Sequence, residues 1–120
     1  MNLKTAAALT LGLAAAIPFT AAQASAQDLP PEGDKELYCS SLMFALSLRN
    51  FSDPERADEY QYASDSLFSS AQFTFLDAGV PGDVYMPIYE QYSAETDQAT
   101  MGGGTLKYPI DECMTLAGIY

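Results

Sequence analysis

The chain's only two cysteines, Cys39 and Cys113, lie 74 positions apart. If they pair, any fold must bring the first structured segment and the last to one place. In the chain-entropy description, closing a loop of that length contributes roughly 4 to 4.5 kcal/mol, comparable with the whole net stability of a small domain. Other uses of the pair are poorly served. Catalytic thiols sit as C-x-x-C, and zinc needs further Cys or His ligands, whereas this chain has no histidine. The expectation is a structural disulfide, with no metal and no cofactor.

The compartment is read from the N-terminus. Lys4 precedes an uncharged Ala- and Leu-rich run, and Ala24 and Ala26 flank Ser25 in an A-x-A pattern that places the cut before Gln27. An earlier cut after Ala24 is the alternative. Residues 1–26 are thus expected to be a cleaved secretory signal peptide, and the protein to be periplasmic or secreted, where disulfides persist. No later run approaches the roughly 18 apolar residues of a spanning helix, so no stable membrane association is expected after cleavage. Loss of the leader removes one cation and no acid, taking the net charge from -11 to -12 and leaving 94 residues. A chain that short buries only about 60 to 65% of its unfolded surface, which makes a covalent staple valuable.

Punctuation and periodicity predict four helices. Residues 27–33, with Pro30 and Pro31, read as a flexible lead-in, and 34–120 as one helical domain. Asp34 is placed to cap a first helix whose apolar stripe is Leu37, Tyr38, Cys39, Leu42, Met43, Ala45 and Leu46, ending near Arg49 and Asn50. Ser52 and Glu55 have capping-box spacing, and Asp53-Pro54 is an equally good start one residue later. The second helix then runs about 24 residues with Tyr60, Ala63, Leu67, Ala71, Phe75 and Ala78 on one face and Phe68 beside it, stopped by Gly79 and Pro81. A third helix begins near Met86, with Pro87 at its first position, carries Tyr85, Ile88, Tyr89, Tyr92 and Ala99 at helical spacing, and ends at Gly102 to Gly104. A terminal helix over 109–119 sets Ile110, Cys113, Met114 and Ala117 on one face. The expected fold is all-α, a small four-helix bundle with its first and last helices joined by the disulfide. The competing reading is a small α+β domain with strands at Phe73 to Leu76 and Thr105 to Tyr108.

The sequence excludes more chemistry than it suggests. Without histidine, Ser-His-Asp and Cys-His catalysis are gone. Glu55, Asp58, Glu59 and Asp65 lie on neighbouring turns of the second helix, a spacing open to paired-carboxylate catalysis or to a plain solvated face. The segment Asp77 to Asp83 is no calcium loop, and Gly102 to Gly104 lacks the Lys-Ser or Lys-Thr of a phosphate loop. No catalytic residue is therefore assigned. So acidic a chain repels nucleic acid and anionic membranes, leaving attraction to a basic protein. The leading expectation is an exported, non-catalytic acidic protein of inhibitor, immunity or envelope-stress type. Its partner face is formed by Glu55, Asp58, Glu59, Tyr62 and Asp65, with Tyr62 as the exposed aromatic anchor. The alternatives are a small apolar-ligand carrier, with Met43, Phe44, Phe68 and Met114 lining its cavity, and a carboxylate enzyme.

Overall fold

The computed structural model describes residues 26–119. The leader expected at residues 1–26 lies, up to Ser25, outside the described residues. After a 3-10 turn at Ala26–Asp28 the chain forms α1 (Pro31–Arg49), α2 (Pro54–Ala78), α3 (Gly82–Thr100) and α4 (Ile110–Leu116). No strand occurs among the described residues. Phe73 to Leu76 continue α2 without a break, and Thr105 to Tyr108 lie in the irregular segment before α4.

Two helix starts differ from the sequence expectation. Helix α1 begins at Pro31, so Asp34 lies inside its first turn, its N–H donating to the Pro30 carbonyl at 2.9 Å. Prolines at the flank and first position suit that start, because the N–H they lack would be unpaired there anyway. The Asp34 side chain is thus not a cap and is released for the tertiary contacts described below. Helix α3 begins at Gly82, five residues ahead of Pro87, which sits within the helix. The tertiary contact made by Tyr85 accounts for this: Tyr85 is buried and its ring stacks on Phe75 at 4.6 Å. Pro87 itself is exposed.

The other boundaries follow their local chemistry. Asp53 caps α2, its carboxylate accepting from the Arg56 N–H at 3.2 Å, with Pro54 at the first helical position. Gly79 ends α2 in the left-handed conformation, φ 73°. Helix α4 is shorter than expected, closing at Leu116.

Helix α1 is the hub against which α2, α3 and α4 all pack. Leu37, Cys39, Leu42 and Met43 on α1 are fully enclosed, as are Ala63, Ala71 and Phe75 on α2. Small residues stand along this seam, Ser40 on α1 and Ala63, Ser64 and Ala71 on α2. Across that seam Ser40 and Ser64 each donate a hydroxyl hydrogen bond to the other's carbonyl, both at 2.9 Å. At the end of the seam Phe75 lies on Gly33, where an added Cβ would come within 2.4 Å of the ring. Helix α4 is tied to α1 by the Cys39–Cys113 disulfide, with Cα atoms 5.2 Å apart.

Candidate functional site

Helix α2 buries one stripe and turns the opposite one to solvent, as its 3.6-residue period requires. Glu55, Asp58, Glu59, Tyr62 and Asp65 all lie on that outer side and all are exposed, with 70% of the Tyr62 surface open to water. Arg56 pairs with Glu59 at 3.7 Å, whereas among the described residues no cation pairs with Glu55, Asp58 or Asp65. Farther along the same face stand Phe73 and Leu76, 69% and 73% exposed. Tyr62 and Phe73 bound a shallow saddle floored by Ser66, Ser69 and Ser70. This surface combines negative charge with exposed aromatic area. Its carboxylates point outward along an open helix and do not converge in a cleft.

A second cluster, centred on Asp34, was not anticipated from sequence. Asp34 is 5% exposed and accepts hydrogen bonds from the hydroxyls of Tyr92 and Tyr108, the latter at 2.9 Å, and an ion pair from Lys107 at 2.8 Å. Lys107 Nζ also donates to the Tyr92 oxygen at 2.7 Å, and the Lys107 backbone N–H donates to the Tyr38 hydroxyl at 2.9 Å. Three tyrosine rings pack around this point edge to face, Tyr38 with Tyr92 at 5.1 Å and with Tyr108 at 5.6 Å. Burial, reinforced by the hydrogen bond and negative charge of Asp34, pushes the Tyr108 hydroxyl up to about 12 and Tyr92 higher still. Burial also raises Tyr38. Tyr92 and Tyr108 are therefore held as neutral donors to Asp34, Tyr38 accepts from the Lys107 backbone, and the cluster fastens the segment before α4 to α1. The one sequence signal is that Lys107 is the only cation after Arg56, which marks it as a candidate partner for a carboxylate distant in the chain.

The remaining chemistry-bearing residues are placed plainly. Cys39 and Cys113 are fully buried and bonded, as suits a structural link. No group of three or more acids and cysteines able to hold a metal ion occurs among the described residues. Asp77 and Asp83 are exposed on either side of the α2–α3 turn, and Gly102 supplies the left-handed residue, φ 90°, after α3. Met43, Phe44, Phe68 and Met114 do not line one cavity. Phe44 and Phe68 border an open depression, Met114 borders a different one, and Met43 is packed solid. No described helix is long and apolar enough to cross a membrane. Compared with known proteins, the chain matches no family model, no curated protein and no solved structure.

Proposed function

We propose that this protein is an exported, non-catalytic binding protein that recruits a basic protein partner through the outer face of α2. The observation that carries this reading is where the cations go. Lys35, Arg49, Arg56 and Lys107 are the four cationic residues described, and each is held in an ion pair: with Glu112, Asp97, Glu59 and Asp34 respectively. Among the described residues no positive charge is therefore left in reserve for Glu55, Asp58 and Asp65. Their field extends into solvent and favours approach of a cationic surface, speeding encounter and fixing its orientation. Tyr62, between these acids, supplies a rigid amphipathic contact at low entropic cost. A buried disulfide is compatible with an oxidising compartment, in keeping with export to the periplasm or the external medium.

The test is affinity capture on immobilised, oxidised protein from the envelope fraction and the external medium, with salt titration of whatever is retained. A cationic protein released as salt rises is the expected result. Affinity unchanged between low and high ionic strength would contradict the mechanism.

A further inference from the structure

The hub helix is covered on one line only along half its length. At its N-terminal end Gly33 lies under Phe75, and Leu37 is fully enclosed. One and two turns beyond the middle of the helix, Phe44 and Leu48 are 45% and 48% exposed, although they occupy an i, i+4 pair on the continuation of that line. Here α2 and α3 leave a cleft. Its inner end is closed where Phe68 and Tyr89 meet, ring centroids 5.0 Å apart. Phe44 rises between two depressions of about 400 Å³ and 440 Å³, one against α2 and one against α3, both bordered by Tyr89. In a four-helix bundle this is where the fourth long helix lies. The chain's own α4 is only seven residues long and is bonded through Cys113 to Cys39 instead.

We infer that the cleft over Phe44 and Leu48 is the seat of a cationic amphipathic helix supplied by the partner. This rests on the binding role proposed above and names the part of the partner that docks. Shape favours a helix, because the cleft is open and its two depressions flank the single ridge of Phe44, so apolar residues of one helix face can drop on either side of it. Charge selects its sign. Asp65 borders the α2 depression and belongs to the unpaired acidic stripe of α2, so the cleft is continuous with that field. On the opposite lip Asp97 is already held by Arg49. A second copy of this chain is the disfavoured occupant, since it would bring a net charge of the same sign against the same surface.

The test uses oxidised protein and three labelled peptides of equal length: a Leu/Lys helix with leucines at i, i+3, i+4 and i+7, its scrambled sequence, and a Leu/Glu counterpart. Binding is read by fluorescence anisotropy and helix formation by circular dichroism. The Leu/Lys helix is expected to bind at least about tenfold more tightly than either control, gaining helicity as it binds. The variant Phe44→Ser/Leu48→Ser, which changes only exposed side chains, should remove that advantage while leaving the weak, salt-sensitive binding of the scrambled cationic peptide unchanged. Equal binding of helix and scramble, both released by salt, would overturn the cleft assignment and leave the acidic-face reading standing. No binding of any cationic peptide at low salt would overturn both. A dimer in sedimentation that becomes monomeric in Phe44→Ser/Leu48→Ser would assign the cleft to a second copy instead.

Discussion

The α1–α2 hairpin and the segment from Gly102 to Ile119 are fastened to the same helix by different forces. The hairpin is a packed seam: Ala63, Leu67, Ala71 and Phe75 against α1, with Ser40 and Ser64 satisfying each other where the helices come closest. The C-terminal segment packs Leu106, Tyr108, Met114, Ala117 and Ile119 only part-buried against the core, and of α4 only Cys113 is fully buried. It is held by one covalent bond, by the Asp34 cluster, and by the Lys35–Glu112 ion pair. Dispersion and burial fail together, whereas tethers fail one at a time. The contrast extends to charge. Around Asp34 carboxylate and ammonium are joined to make structure, while on α2 carboxylates are left open to solvent.

Breaking the seam should cost most. Phe75→Ala removes a fully buried ring that touches Gly33 and Tyr85 and is expected to destabilise by about 3–5 kcal/mol, lowering one cooperative denaturation midpoint. Filling the same contact from the other side, with Gly33→Ala, should cost about 1–3 kcal/mol through overpacking. Separate unfolding steps in either variant would show that the hairpin is not the cooperative unit.

Cutting the tether comes next. Cys39→Ser/Cys113→Ser is expected to lose about 2–4 kcal/mol. Amide exchange in residues 105–117 should accelerate well before that of α1 and α2. Uniform acceleration across the chain would erase the distinction between seam and tether.

Asp34→Asn leaves the Lys107 ammonium without its carboxylate and should cost about 1–3 kcal/mol, moderated because Lys107 can turn to water. The same cluster sets the alkaline limit. Tyr92 and Tyr108 keep their protons in the folded state to higher pH than in the unfolded chain, so their contribution is complete below the ordinary tyrosine value near 10. It is lost as pH rises toward 12 and beyond. Ultraviolet titration of the native protein should show these tyrosines ionising late and together with unfolding, and Asp34→Asn should bring their titration down.

The smallest effect concerns Glu36, 7% exposed and hydrogen-bonded by the Thr74 hydroxyl at 2.6 Å. Burial raises its carboxyl above the usual value, offset in part by that hydrogen bond. A raised acid favours the folded state most when protonated, so its contribution declines as pH rises through the folded value. Glu36→Gln should keep stability at neutral pH and flatten its slope as pH rises through and above the ordinary carboxylate range. A steeper slope would mean that the carboxylate is stabilised in the fold.

Much of this architecture is legible in the sequence, and most of what is not depends on contacts made across the fold. The helix count, the Asp53-Pro54 start, the Gly79 stop and the disulfide all rest on local chemistry or on a pair of residues that has one partner each. The early start of α3 depends on what Tyr85 meets across the fold, namely Phe75, whereas that of α1 follows the local chemistry of Pro30 and Pro31. The Asp34 cluster draws together Tyr38, Tyr92, Lys107 and Tyr108 from sites up to 74 positions apart, which no window of periodicity samples. The cleft over Phe44 was hidden for the opposite reason. Its residues have core composition, and only the structure shows Phe44 and Leu48 left exposed there.

The outer acids of α2 are expected to serve recognition and to carry none of the fold. Glu55→Gln/Asp58→Asn/Asp65→Asn tests this by pairing a thermal midpoint with binding of the cationic partner or of the Leu/Lys peptide. The prediction is a midpoint equal to or above that of the parent, through relief of like-charge repulsion, together with at least about tenfold weaker binding at low salt. A lowered midpoint with binding intact would contradict it.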